Sequence, residues 1–152
     1  MDHGLKAAEL FLRGYNCAQA VVVAFGDVTG MEEKYAARLI SSFGGGMGRR
    51  REVCGAVSGM LLVAGLLYGD DTPGVDVSKK NHYARVQYLA GQFREQVGSI
   101  VCREILKNPP SDPNPSPRTA EYYAKRPCAR MVYLAGEILD RYIEENPPEV
   151  AG

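Results

Sequence analysis

Residues 43–59 read FGGGMGRRREVCGAVSG, and the fold class turns on what they are. As a nucleotide loop they would need a strand before them and a helix after, hence an α/β sheet. As a helix stop followed by a helix start they belong to an all-α chain. A Walker A loop ends in GK[ST], whereas Gly48 is followed by Arg49. The dinucleotide pattern needs a third glycine three places after Gly46, and Arg49 stands there too. Both nucleotide tests fail. Gly44–Gly46 are then a helix stop that lets backbones pack closely, and Cys54 opens the next helix. Anion binding by the loop amides and by Arg49–Arg51 stays open on this reading.

The chain on either side is helical in pattern. Downstream, the uncharged run from Val53 to Gly69 contains Gly55, Gly59 and Gly65. It falls short of the ~20 apolar residues a spanning helix needs, and reads as a central buried helix ending at Tyr68. Upstream, Tyr35, Ala36, Leu39, Ile40 and Phe43 recur at helical spacing. Asn16 is placed to cap a helix over CAQAVVVAFGD, and Ala7, Ala8, Phe11 and Leu12 share the face of another. After the turn GDDTPGVD, a narrow seam runs through Tyr83, Val86, Ala90, Phe93 and Val97. Ser99 caps a short segment, IVCREILK. Residues 109–118 are proline-dense and predict an extended loop. A last seam follows through Cys128, Met131, Ala135, Ile138 and Tyr142, with a frayed tail over residues 146–152. No strand and no repeat emerges. The expectation is one all-α domain over residues 1–152, a compact helical bundle of about five to seven helices.

Bulk composition narrows function by exclusion. The 152 residues carry 18 basic and 18 acidic side chains and no tryptophan. Neither a long-range field nor a stacking platform favours nucleic acid. The N-terminal MDHGLKAAELFLRGYN carries charges throughout and has no apolar signal core. The expectation is a cytoplasmic protein with no membrane insertion, its thiols kept reduced.

Chemistry then concentrates on the four cysteines, Cys17, Cys54, Cys102 and Cys128. No CxxC or CxxCH occurs, which excludes a thioredoxin-type motif, a zinc ribbon and covalent haem. Each cysteine sits where a helix can start: after Asn16, after Glu52 of the glycine loop, after Ser99, and after Pro127. Unpaired N–H groups there favour anions, and such cysteines ionise below the usual ~8.5, in places between about 3.5 and 7.5. Arg49, Arg50 and Arg51, Arg103, Lys125 and Arg126 add positive charge nearby. The expectation is a reactive thiolate, with Cys54 in the lead. The competing reading is inert core packing, common for free cysteine. Gly55, Ala56, Ser58 and Gly59 read either as small residues for helix contact or as room for another sulfur, a cluster or a substrate over Cys54. His82 reads as a solvent-facing side chain, and His3 as terminal.

In this order and spacing the motifs GYNCAQAV, CGAVSG, CREIL and CARMV resemble the C_GCAxxG_C_C family. Those are small redox-active proteins named for a lone cysteine, a CGAxxG-type motif and two further cysteines. The resemblance runs from about Ala7 to about Leu139. It implies a small helical protein working through Cys17, Cys54, Cys102 and Cys128, with Gly55, Ala56 and Gly59 lining the site.

Three functions are consistent with this. The first is electron transfer or thiol/disulfide redox chemistry, through reversible disulfides or an iron–sulfur cluster on four thiolates; as an enzyme it would be an oxidoreductase. Its partner would be a redox protein or a small-molecule thiol, and the chain could pair as a homodimer. The second is a zinc- or iron-binding accessory module without turnover, linked to transport. The third is a structural helical protein with inert thiols.

Overall fold

A computed structural model describes residues 1–149, and the chain is all-α. Eight helices organise it: α1 (His3–Leu12), α2 (Cys17–Ala24), α3 (Glu33–Ile40), α4 (Gly55–Tyr68), α5 (Asp76–Val97), α6 (Cys102–Ile105), α7 (Ala120–Lys125) and α8 (Cys128–Glu145). Single turns at Gly26–Thr29 and Ser41–Phe43 join them. Helical segments therefore exceed the expected five to seven, because α7, a piece of under two turns, has too few residues to show a period. The irregular run over 109–118 appears as expected. Of the tail expected over 146–152, residues 150–152 lie outside the described residues.

The hub is α2 rather than α4. Seven of its eight residues are buried, and it packs against α1, α3, α4 and α8. Its start is fixed by a capping box: Asn16 Oδ1 accepts from Gln19 N–H at 2.8 Å, and Gln19 Oε1 accepts from Asn16 N–H at 3.1 Å. The helix expected to be central, α4, lies beside it but leaves Leu66 exposed near its far end. Between the two helices, a Cβ on Gly59 would stand 2.8 Å from the Ala18 carbonyl oxygen. Gly59 thus serves helix contact.

The two seams came out differently. On α8 the buried set is wider than expected, taking in Val132, Leu134, Gly136 and Leu139, because α1, α2, α4 and α5 all pack on this helix. On α5 only Leu89 and Phe93 are buried, and Tyr83 is 59% exposed. Ser99 does not cap α6 directly; its Oγ accepts from Val101 N–H at 2.9 Å and donates to Glu104 at 2.6 Å.

A buried polar cluster ties the two ends of the chain together. His3 Nδ1 lies 2.6 Å from Asp140 and Nε2 lies 2.9 Å from Asp27, with the ring stacked on Phe25 at 4.3 Å. The terminal histidine is therefore a structural one.

Candidate functional site

All four cysteines sit at helix starts. Cys17, Cys102 and Cys128 are the first residues of α2, α6 and α8, and Cys54 directly precedes α4. An antiparallel bridge between Val53 and Val101 brings two of them side by side. Cys54 N–H donates to the Ile100 carbonyl at 2.7 Å, and Cys102 N–H to the Glu52 carbonyl at 2.6 Å. Cys17 arrives from the other side, across Gly55: a Cβ on Gly55 would stand 2.5 Å from Cys17 Sγ. Gly55 is therefore room for a sulfur, one of the two readings its sequence allowed. Ala56 is fully buried.

The four sulfur-bearing residues line one cavity of about 210 Å³. Cys17, Cys54 and Cys102 are buried, Cys128 is half-buried, and all four are free.

The glycine loop shapes the electropositive wall. Gly45, Gly46, Met47, Gly48 and Arg49 all have positive φ, from 59° to 72°, and Arg51 has φ 63°. This left-handed coil is easy for glycine and costs ~1 kcal/mol or more at each of Met47, Arg49 and Arg51. It turns Arg49 and Arg51 into the cavity wall and leaves Arg50 exposed. Arg51 is only 4% exposed. Its Nε donates to the Pro110 carbonyl at 2.9 Å and its Nη1 to Cys102 Sγ at 3.6 Å. Arg49 donates to the Asp112 carbonyl at 2.7 Å and to Ser116 Oγ at 3.2 Å. The proline-dense loop is thus a strap across the cavity, pinned by these two arginines.

Two more arginines complete the lining. Arg118 donates to the Phe11 and Tyr15 carbonyls at 3.1 and 3.0 Å, and Arg126 lies 5.1 Å over the Tyr122 ring. Of these, Arg118 went unnoticed in the sequence, where it looks like one more loop residue. The other expected basic neighbours face away. Arg103 pairs with Glu52 at 2.6 Å, and Lys125 with Glu121 at 2.7 Å, both at exposed positions.

The expectation of a low-pKa thiolate at Cys54 is overturned. Burial pushes the Cys54 thiol well above its ordinary value, and the negative charge of Cys17 adds to this. The Ala56 and Val57 amides at the start of α4 act the other way but are outweighed. Burial likewise raises Cys17, against the Gly45 amide. Cys128 is pushed up to about 12, again by burial first, with Arg126 and Arg118 opposing. Helix-start amides do face these sulfurs, but desolvation of the charged form is the larger effect.

Among the described residues, no three His, Cys, Asp or Glu side chains stand close enough together to hold a metal ion. A four-thiolate site does not fit this arrangement.

The family model described as "Putative redox-active protein (C_GCAxxG_C_C)" matches residues 15–142. The chain belongs to the C_GCAxxG_C_C family. No curated protein and no solved structure matches it. Of the elements that name the family, Cys17, Cys54, Gly55, Cys102 and Cys128 line the one cavity, while Gly59 packs on α2. Among the described residues, no helix is long and apolar enough to cross a membrane.

Proposed function

We propose that this C_GCAxxG_C_C protein performs thiol–disulfide exchange, with Cys102 as the attacking thiol and Cys17 as the resolving one. The observation that carries the reading is the Arg51 guanidinium, whose Nη1 lies 3.6 Å from Cys102 Sγ inside a cavity shared by all four cysteines. The contact sets a charged donor beside that sulfur, where a guanidinium N–H can donate to it. Cys17 is the partner because it is buried on the wall of the same cavity, with its Sγ against Gly55.

In the exchange, Cys102 thiolate attacks one sulfur of a disulfide carried by a small molecule or a protein. The partner's S–S bond breaks, a mixed disulfide forms, and the first partner thiolate leaves and takes up a proton. Cys17 then loses its proton and attacks Cys102 Sγ, releasing the second partner thiol. The partner gains two electrons as two thiols, and the Cys17–Cys102 disulfide holds the oxidising equivalent. Cys54 and Cys128 supply a second dithiol in reach of the same cavity.

The test is anaerobic. Reduced protein is treated with a small disulfide and freed of small molecules, the protein thiols are counted with a chromogenic reagent, and the bridge is mapped by mass spectrometry. The expected result is a loss of two thiols per turnover and a Cys17–Cys102 linkage, with Cys17→Ser trapping a mixed disulfide on Cys102. Four thiols that stay unreactive until the chain unfolds would overturn the reading. So would protein that emerges from anaerobic purification with the visible absorption of an iron–sulfur cluster.

A further inference from the structure

The cavity is electrically one-sided. Arg49, Arg51, Arg118 and Arg126 contribute to its lining, and no Asp or Glu does. Two of these arginines have their donors committed to carbonyls and a hydroxyl of the protein, as described above. Arg51, although its Nε and Nη1 donate to Pro110 and Cys102, and Arg126 each keep donors without a partner among the described residues. Arg51 Nη2 is buried with no hydrogen-bond partner, although the residue is 4% exposed. The Arg126 guanidinium makes no hydrogen bond or ion pair among the described residues and is held only over the Tyr122 ring.

A buried charged donor without a partner costs several kcal/mol in principle, and native proteins rarely leave one so. The left-handed coil that presents Arg51 adds strain at a non-glycine residue, φ 63°. Strain of this kind persists where the surrounding structure over-determines it, commonly at ligand sites. The like-charge crowding is visible in Arg49 itself, pushed below its ordinary value by burial first and then by Arg51.

We propose that the cavity binds a small molecule through an oxyanion head, seated between Arg51 Nη2 and the Arg126 guanidinium beside the four thiols. A carboxylate or a tetrahedral oxyanion carries several acceptor oxygens, so one head can accept from Arg51 Nη2 and from the Arg126 fork at once. The volume of about 210 Å³ is below the ~300–1,000 Å³ of drug-sized pockets. That limits the ligand to a small metabolite and excludes a nucleotide or a peptide segment. Phe11, Ile105 and Met131 form apolar parts of the lining, so the head carries at most a short apolar body. The site stands independently of the exchange chemistry: an anion can bind whether or not the thiols turn over.

Isothermal titration of the reduced protein, at constant ionic strength with chloride as the balancing ion, tests this. The probes are acetate, butyrate, inorganic phosphate and sulfate. At least one is expected to bind saturably, with a Kd of about 1 mM or tighter. Preference for acetate or butyrate assigns a carboxylate head, and preference for phosphate or sulfate a tetrahedral one. Arg51→Gln and Arg126→Gln are each expected to weaken binding about tenfold or more. Arg126 is only half-buried, so its variant keeps the test available if Arg51→Gln fails to fold. Absence of saturable binding by all four probes, or affinity unchanged in Arg126→Gln, would overturn the proposal. Neither result would touch the thiol count that tests the exchange reading.

Discussion

Gly55→Ala is the substitution on which the cavity geometry makes its sharpest demand. The new methyl would stand 2.5 Å from Cys17 Sγ, 2.9 Å from the Phe43 carbonyl oxygen and 3.1 Å from Ala18 N. Two of these three are backbone atoms and cannot swing away. Over-packing of this kind costs about 1–3 kcal/mol. Against it stands the usual gain of Gly→Ala at a helical position, about 0.4–1 kcal/mol, from helix propensity and the stiffer unfolded chain. The net expectation is a loss of about 1–2 kcal/mol, or a fall in Tm of about 2–8 °C for a chain of this size. Urea unfolding of the reduced protein measures it. The double variant Cys17→Ala/Gly55→Ala isolates the sulfur: removing Sγ should return about 1 kcal/mol as a coupling energy. Gly59→Ala is the control, since its clash is with the Ala18 carbonyl at 2.8 Å and should gain nothing from Cys17→Ala. A Gly55→Ala protein as stable as the parent, with no coupling to Cys17, would refute the placement of Cys17 against Gly55 and so the convergence of the cysteines.

Three other outcomes are expected. Stability should fall as pH rises from the ordinary thiol value of 9.0 towards about 12, because the unfolded chain loses the Cys128 proton first while the folded chain keeps it; this thiol contributes at most ~1.4 kcal/mol per pH unit to the slope, the raised Cys17 and Cys54 add slope of the same sign, and Cys128→Ser should make the profile shallower in denaturant titrations across the window. His3→Ala removes a buried imidazole held by Asp27 and Asp140 and should cost about 2–3 kcal/mol in urea unfolding while leaving the thiol-exchange rate of the folded protein unchanged. Arg49→Ala unpins the strap from Asp112 and Ser116, which at about 1–2 kcal/mol should raise strap opening, and with it the alkylation rate of the buried thiols, about five- to thirtyfold; equal rates in parent and variant would mean that the strap does not gate the cavity.

Much of this arrangement was legible in the chain, and what was not has definite physical causes. Asn16 before Cys17 and Pro127 before Cys128 are local signals, and both cysteines do begin helices. The failed glycine patterns of residues 43–59 removed the α/β alternative, and no strand forms among the described residues. Charge on Cys54 was misjudged because sequence displays the arginines and the helix start but not the depth of burial, which outweighs both. Arg103 looked like a neighbour of Cys102, yet its side chain reaches Glu52 instead. Arg51 reaches Cys102 only because the Val53–Val101 bridge aligns two distant segments. Arg118 was invisible for the same reason, its partners Phe11 and Tyr15 lying at the other end of the sequence. His3 likewise finds its partners only through the packing of α1 on α8.

The raised thiols also bear on the order of events in the proposed exchange. Burial keeps Cys17, Cys54 and Cys128 neutral at rest, so the cavity does not hold several mutually repelling thiolates. The charge of Cys102 raises both Cys17 and Cys128, and the charge of Cys17 in turn raises Cys54 and Cys128. A thiolate at Cys102 therefore holds the resolving thiol back as long as it carries charge. Forming the mixed disulfide cancels that charge, and this repulsion on Cys17 disappears at the moment its attack becomes useful. The same coupling implies that an anion bound at Arg51 and Arg126 competes electrostatically with the Cys102 thiolate. Exchange with a neutral disulfide should consequently slow when the oxyanion site is filled, and recover as the anion is diluted away.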